Sequence, residues 1–260
     1  MRGRRSWRGW QGKTFLWGGL LWLVLGSPDQ LLAQTFEITG GETVFSQDSQ
    51  YYFGEVGDFI PLGQTQAGKA GAPDVGTAAT GGTMLHLFVE VFYFAYETPG
   101  PPMTTFNAYN GLNPAVGIRI PTDRGFWEGD VGVAVAEAFQ TDTPVESLAG
   151  IFLQTEYYQS LGLGAFDFFA NYIGYIQYIY GQARYLTPVM TTPRKDATFF
   201  LGPELIGQGN NTYYAGQGGA VLGVSLPTIH SYLTFDGGLL RSSVSVGWGG
   251  YQGFSWYVSF

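Results

Sequence analysis

The chain has 260 residues, including 40 glycines, 20 phenylalanines and 17 tyrosines, and only 12% of its residues are charged. This composition favours sheets and turns over charged amphipathic helices. The net charge of −8 argues against nucleic-acid binding, which requires a basic surface, and the absence of cysteine excludes disulfides and thiolate chemistry.

Residues 1–33 have the pattern of a secretory signal peptide. Five basic side chains precede or flank an apolar run at 15–25. That run is shorter than the roughly 20 residues of a spanning helix, and Leu31-Leu32-Ala33 offers a cleavage point. We expect cleavage near Ala33/Gln34, with an uncleaved anchor as the alternative. The chain after residue 33 keeps 7 basic and 19 acidic side chains, a net charge of −12, which favours cations or neutral ligands.

The rest of the chain alternates between apolar and polar residues in segments of about ten residues. At 83–96, aliphatic residues at odd positions share one face, while His86 and Glu90 share the other. At 126–138, valines alternate with Glu128, Asp130 and small residues. We interpret the apolar face as lipid-facing and the other face as lumenal.

The strand count predicts an all-β fold, a single antiparallel transmembrane β-barrel of 10–12 strands with 12 favoured. No segment after the signal peptide is apolar enough for a membrane helix. The barrel is assigned to 50–260, and 34–49 is an N-terminal segment that supplies the twelfth strand at 36–45 or forms a periplasmic tail. Segments 63–82 and 97–103 are predicted to be extracellular loops. The remaining candidate strands are 50–60, 83–96, 111–120, 126–138, 148–158, 165–175, 177–187, 197–207, 213–225, 231–246 and 250–260.

The last residues alternate up to the end of the sequence. Phe254, Trp256, Val258 and Phe260 share one face. This pattern is typical of a final lipid-facing barrel strand, although the last strand of a soluble sandwich is an alternative. The ending resembles the carboxy-terminal signal of outer-membrane barrels, and that resemblance implies recognition by the barrel-assembly machinery. The expected location is the bacterial outer membrane, with its lipid as a partner.

Glycine-rich motifs in the second half carry a further resemblance. They are Tyr180–Arg184, Leu201–Leu205 followed by Gln208–Asn210, and Gln217–Ala220. These segments resemble the cellulose-biosynthesis outer-membrane accessory family called BcsS. The resemblance implies a role in cellulose or exopolysaccharide biosynthesis or secretion, with the polysaccharide and its synthase or export complex as partners.

Several polar side chains are candidates for the lumen and for ligand contact. Amides and tyrosine rings suit neutral sugars, whereas paired carboxylates tune selectivity or bind a cation. A glycine-proline-glutamate sequence marks a local break or bulge that turns Glu204 inward. Arg119, Arg124, Arg184 and Arg241 are expected to supply opposing charges. The candidates are Glu90, Glu128, Asp130, Glu156, Tyr178, Tyr180, Arg184, Glu204, Gln208 and Asn210.

No catalytic motif is evident. The chain has only two histidines, and it contains no serine-elbow or zinc-protease pattern. We therefore expect a non-enzymatic protein without a cofactor or a dedicated metal site. The alternatives are a small channel for cations or neutral solutes and a lipid-modifying barrel enzyme that uses His86.

Overall fold

The computed structural model describes residues 35–45, 49–62, 82–98, 105–211, 213–243 and 247–260. The chain divides into two units, Met1–Ala33 and Gln34–Phe260. The first unit, which contains the predicted signal peptide, lies outside the described residues. Most of the two predicted long loops also lies outside them.

The second unit forms twelve strands within the described ranges. These strands are rich in aromatic and β-branched residues, which fit a pleated surface. In the same ranges, no helix is long and apolar enough to cross a membrane. The strands are β1 (Thr35–Phe45), β2 (Ser49–Pro61), β3 (Met84–Thr98), β4 (Thr105–Thr122), β5 (Gly125–Gln140), β6 (Glu146–Leu161), β7 (Gly164–Ile173), β8 (Tyr178–Thr191), β9 (Thr198–Gly209), β10 (Tyr214–Leu226), β11 (Ser231–Ser242) and β12 (Gly249–Ser259).

The strands close into one antiparallel barrel. Each strand pairs with its neighbours in sequence, and β1 pairs with β12, placing Glu37 opposite Ser259 and Phe45 opposite Tyr251. The predicted all-β barrel and the favoured count of twelve strands are confirmed. The twelfth strand is β1, which arises from the segment interpreted as either a first strand or a tail.

Side chains alternate between the two faces of the closed sheet. On β5, Val131 and Val133 are 50% and 52% exposed on the outer surface, while Glu128 and Ala134 are 1% and 0% exposed inside. The outer surface is therefore apolar and the interior holds the acidic groups. This distribution is the reverse of a soluble protein's and suits a barrel surrounded by lipid.

Packed side chains partly fill the lumen. The rings of Phe88 on β3 and Phe152 on β6 meet with centroids 6.1 Å apart, although two strands lie between them along the sheet. Ala134 and Ile173 complete this buried apolar cluster. Because barrel diameter grows with strand number, twelve strands enclose a lumen wider than that of an eight-stranded barrel and narrower than that of a porin, and side chains such as these fill part of it.

Short turns join most of the described strands. Positive φ angles occur at five turn residues, Asp142, Gly162, Gln177, Lys195 and His230. Such angles reverse the chain within a few residues, as consecutive hairpins require. The predicted turns near 192–195, 209–211, 227–228 and 247–250 all fall at junctions between observed strands, although Gly209 is the last residue of β9 and residues 249–250 are the first of β12.

The two predicted extracellular loops do not lie on the same side of the barrel. Pro61 and Met84 are paired neighbours at the barrel end that contains the first residue of β1 and the last of β12. Thr98 and Thr105 are paired at the opposite end. Because successive strands run antiparallel, 63–82 and 97–103 join strands at opposite ends, so the prediction that both are extracellular is wrong.

The predicted local break at the glycine-proline-glutamate sequence occurs on one side of β9 only. The β9–β10 pairing is continuous through Gly202, Pro203 and Glu204. The β8–β9 pairing, however, passes from Arg184–Glu204 directly to Thr187–Leu201 and leaves Gly202 and Pro203 without partners on β8, and its register shifts farther along, between Pro188 and Met190. Gly202 permits a close approach of strands, because a Cβ there would lie 1.7 Å from the carbonyl oxygen of Tyr185.

The apolar exterior predicts a depth-dependent cost for surface charge. We expect Val133→Lys to lower the free energy of unfolding in lipid vesicles by about 2–4 kcal/mol, because a cation near the bilayer midplane loses its hydration. Glu137→Lys, on the same face of β5 but nearer its end, is the matched control and should cost at most about 1 kcal/mol. Reversible denaturant unfolding followed by tryptophan fluorescence measures both. Equal costs would contradict the predicted depth of Val133.

Candidate functional site

A group of charged side chains occupies the half of the lumen nearer the start of β1. His86 of β3 lies at its centre, with Nδ1 2.9 Å from Glu128 Oε1 and 3.2 Å from Asp130 Oδ1. Its Nε2 lies 3.1 Å from Glu37 Oε1. We call this group the histidine cluster; its members are Glu37, Glu55, His86, Glu90, Arg119, Glu128, Asp130 and Glu156.

Strand register and aromatic rings hold His86 in place. Its neighbours across the sheet are Phe59 on β2 and Gly117 on β4. The imidazole stacks between Phe59 and Phe88, with ring centroids 4.2 Å and 4.7 Å away. Gly117 leaves room for a carboxylate, because a Cβ at this position would lie 2.0 Å from Asp130 Oδ1. The small residue therefore lets Asp130 reach the imidazole.

Arg119 is the basic residue of the histidine cluster that pairs with acids on β5 and β6. Its Nε donates to Glu128 Oε2 at 2.5 Å, and its terminal nitrogen lies 3.7 Å from Glu156 Oε2. The guanidinium also lies over the rings of Phe59 and Phe126, at 3.9 Å and 4.1 Å. These contacts direct its ion pairs to β5 and β6.

The histidine cluster contains more acidic than basic groups. It has six carboxyl groups against the guanidinium of Arg119 and the imidazole of His86. Asn113 donates to Glu90 Oε1 at 2.6 Å, but an amide brings no charge. Burying such an excess is costly unless cations or protons balance it. The cluster is therefore suited to attract cations.

A second charged group is centred on Glu204 of β9, 1% exposed. Arg184 Nε donates to Glu204 Oε2, and the Arg184 terminal nitrogen lies 3.6 Å from Asp236 Oδ1. Gln182 and the Tyr251 hydroxyl also donate to Glu204, at 2.9 Å and 3.1 Å. We call these five residues the arginine cluster; in it, Glu204 receives both charged and neutral donors, unlike the acids around His86.

Aromatic rings line the lumen at the end opposite the first residue of β1. On β2–β4, Tyr51 contacts Phe94 with centroids 6.4 Å apart, and Tyr96 stacks on Tyr109 at 6.4 Å. On β8, the Tyr178 hydroxyl donates to Gln208 Oε1 at 2.9 Å. We call this group the tyrosine mouth; its members are Tyr51, Phe94, Tyr96, Tyr109, Tyr178 and Gln208. It presents half-buried aromatic faces and an amide at one barrel end.

Nine of the ten predicted lumen residues occupy inward-facing strand positions. They are Glu90, Glu128, Asp130, Glu156, Tyr178, Tyr180, Arg184, Glu204 and Gln208. Asn210 departs from that placement, since it lies in the β9–β10 turn and accepts a hydrogen bond from Tyr213 N at 2.9 Å. The ligand roles of all ten stay predictions.

The predicted counter-charges divide into two pairs. Arg119 and Arg184 lie inside the barrel, whereas Arg124 is exposed in the β4–β5 turn and Arg241 lies on the outer surface near Trp248.

Phe254, Trp256 and Val258 alternate outward on β12, and Phe260 follows the strand with 69% exposure. The assembly role of these four residues stays a prediction.

Five members of the two charged clusters escaped the sequence prediction: Glu37, Glu55, Gln182, Asp236 and Tyr251. A signal existed for Glu55, because Glu55, Gly57 and Phe59 alternate with outward positions as the residues of β5 do. Two sets of side chains in the described residues bring their ligand atoms within 4.8 Å of one another, as a metal ion requires. They are Glu37, Glu55 and His86, and His86, Glu128 and Asp130.

The geometry defines the class of this protein. Its backbone hydrogen bonds close on themselves, its outer surface is apolar, and its charged groups face inward. In a bilayer, where unpaired backbone groups are costly, only a closed barrel satisfies these conditions with strands. The protein is a transmembrane β-barrel of the bacterial outer membrane.

The solved structures to which this chain is similar include the following three. The β-domain of the Bordetella autotransporter BrkA is 11% identical with a TM-score of 0.45, covering 88% of this chain and 99% of its own. The transport unit of the autotransporter AIDA-I from Escherichia coli is 10% identical with a TM-score of 0.36, covering 92% and 94%. CdiB from Acinetobacter baumannii is 14% identical with a TM-score of 0.32, covering 87% and 60%.

No protein-family model matches the chain, and no curated protein matches it in sequence. The resemblance to the cellulose accessory family therefore stays a prediction. The assignment to the outer-membrane barrels follows from the geometry of this barrel itself.

The arginine cluster predicts a large cost for removing its cation. We expect Arg184→Leu to lower the free energy of unfolding by about 3–5 kcal/mol, because Glu204 and Asp236 lose their buried counter-charge. Adding Glu204→Gln should recover about 1 kcal/mol or more, since coupled neighbours are non-additive.

Denaturant unfolding in detergent micelles measures these differences. Arg124→Leu, in an exposed turn, is the control and should stay within about 0.5 kcal/mol of the original protein. Additive effects of the Arg184 and Glu204 substitutions would contradict the coupling.

Proposed function

We propose that the protein is a non-enzymatic outer-membrane component that binds a neutral glycan at its tyrosine mouth during cellulose or exopolysaccharide production or secretion. The observation that carries this proposal is the aromatic lining of one barrel end, in which Tyr178 is paired with the amide of Gln208. Aromatic faces pack against the apolar faces of sugar rings, and amides exchange hydrogen bonds with hydroxyl groups.

The positions of the resembling motifs support this proposal. Tyr180 lies opposite Gln208, and Arg184 lies opposite Glu204, so two motifs that are separate in sequence meet on β8 and β9. Gln217 of the third motif lies on β10 opposite Ile206. The shared residues therefore form one contiguous part of the lumen wall rather than scattered positions.

The surroundings of His86 support a non-enzymatic role. A lipid-modifying barrel would need this imidazole beside a nucleophilic hydroxyl and open to substrate. His86 is 1% exposed, and its ion pairs in the described residues go to Glu37, Glu128 and Asp130. Such an imidazole is suited to hold acids together.

We also infer that the last strand is read by the barrel-assembly machinery. The outward positions of Phe254, Trp256 and Val258 support this, because they leave an aromatic and aliphatic ridge on the outer surface of β12. The same strand pairs with β1, so its recognition and closure of the barrel involve one element.

Glycan binding predicts a ring-dependent affinity. We expect Tyr178→Ala to weaken binding of a neutral cello-oligosaccharide about 2- to 12-fold, because an aromatic contact contributes about 0.5–1.5 kcal/mol. Tyr178→Phe should keep the larger part of the affinity, since it retains the ring. Calorimetric titration of the purified barrel measures both. Tyr214→Ala, an exposed tyrosine at the same barrel end, is the control and should change nothing.

The cellular role is tested in the bacterium that makes the protein. Deleting the gene should reduce secreted, dye-binding polysaccharide, and the Tyr178→Ala protein should restore it less well than Tyr178→Phe at equal barrel abundance. An unchanged polymer yield after deletion would refute the polysaccharide role. Unaltered titrations for Tyr178→Ala would refute the mouth as the binding site.

The acid excess of the histidine cluster favours a second candidate function, a narrow cation-selective channel. Lumenal carboxylates favour cations over anions along a pore. In planar bilayers we expect small conductance steps with a potassium-to-chloride permeability ratio above one. Glu90→Gln should move that ratio toward one, whereas Glu137→Gln, on the outer surface of β5, should not. A silent bilayer with folded protein would eliminate the channel.

A further inference from the structure

We propose that Glu37, Glu55 and His86 form a binding site for one divalent transition-metal ion, with Zn²⁺ as the test ion. The three residues lie on adjacent strands β1, β2 and β3, and their ligand atoms lie within 4.8 Å of one another. One imidazole and two carboxylates are a ligand set that zinc accepts. This site goes beyond the proposed glycan role and does not depend on it.

The geometry at Nε2 of His86 is the observation that points to a ligand. The His86 side chain is 1% exposed, yet Nε2 makes no contact with hydrogen-bond geometry. Glu37 Oε1 lies 3.1 Å away, at the distance of an ion pair with an imidazolium. Two ligand atoms of a tetrahedral zinc ion are about 3.3 Å apart, given bonds of about 2.0–2.1 Å. The observed separation is close to that of two zinc ligands.

The other side of the imidazole has the surroundings of a metal-bound histidine. Nδ1 lies 2.9 Å from Glu128 Oε1 and 3.2 Å from Asp130 Oδ1. Histidines that bind metals through one nitrogen usually donate the other N–H to a carboxylate, which fixes the ring and strengthens the ligand. This contact selects Nε2 as the metal ligand, and therefore Glu37 and Glu55 over the other acidic pair.

A glycine keeps the space in front of Nε2 free. A Cβ at residue 57 would lie 2.8 Å from His86 Nε2 and 3.3 Å from Glu37 Oε1. Any other residue at 57 would therefore place a methyl or larger group where the ion binds. Arg119 does not occupy this space, because its ion pairs in the described residues are with Glu128 and Glu156 rather than with Glu37 or Glu55.

The experiment uses the full mature barrel, purified without a polyhistidine tag, stripped with chelator and refolded in detergent micelles. Calorimetric titration with Zn²⁺ should show one site per chain. His86→Gln should weaken it at least about 100-fold, and Asp130→Asn about 10- to 100-fold through loss of orientation. Calcium should compete poorly, because an imidazole ligand favours transition metals.

Two variants make the result specific. Gly57→Ala keeps every ligand but occupies the space of the ion, so it should abolish tight binding. His230→Gln removes the other histidine, exposed in the β10–β11 turn, and should leave the affinity unchanged. Heat-modifiable electrophoresis checks folding, and if Gly57→Ala or His86→Gln does not fold, Glu55→Gln replaces it.

Two titration results would overturn the site: no stoichiometric Zn²⁺ binding by the folded protein, or an affinity that survives His86→Gln. Either would leave His86 as an imidazolium that bridges Glu37 to the acids of β5. X-ray absorption spectra of the zinc-loaded protein provide a further criterion, since one nitrogen and several oxygens are expected in the first coordination sphere. A coordination sphere made only of oxygens would also refute the proposed site.

Discussion

The pairing of β1 with β12 is the interaction on which the rest of the structure depends. It gives every strand two neighbours, so no strand edge presents unpaired backbone groups to hydrocarbon, where each group costs several kcal/mol. Closure also fixes the orientation of β1, since slipping by one residue would turn Glu37 from the lumen into lipid. The pairing therefore also matters for the histidine cluster, because one of its acids, Glu37, comes from the strand that closes the barrel.

The two charged clusters inside the barrel compensate the free-energy cost of burying charge in different ways. Glu204 accepts hydrogen bonds from a guanidinium, an amide and a phenol, so charged and neutral donors together satisfy its oxygens. Around His86, the acids outnumber the donors, and Asp130 Oδ2 stays without a hydrogen bond. A buried pair contributes little net stability, but a buried excess of one sign is costly unless another charge joins it. The arginine cluster is therefore suited to a structural role, and the histidine cluster to binding a cation.

Much of the fold was predictable because inward and outward side chains alternate along a barrel strand. This alternation correctly placed Glu128 and Asp130 inside and the valines of β5 outside. It does not predict contacts between side chains on strands that are distant in sequence. Asp236 and Tyr251 reach Arg184 and Glu204 across several strands, and no local pattern relates these positions. The turn at 209–211 was predicted, but no local pattern shows whether a turn side chain such as Asn210 reaches the lumen.

The proposed roles of the tyrosine mouth and the histidine cluster follow from the barrel end at which each group lies. The tyrosine mouth and the histidine cluster lie toward opposite ends of one narrow lumen, with the arginine cluster on the wall formed by β8, β9, β11 and β12. The proposed neutral glycan would contact aromatic faces at one end, whereas a cation would approach the excess negative charge nearer the other end. Phe88 and Phe152 narrow the lumen on the side formed by β3–β6, between these two ends. We therefore propose the glycan as a ligand held at the tyrosine mouth, at the membrane surface, rather than as cargo that moves through the barrel.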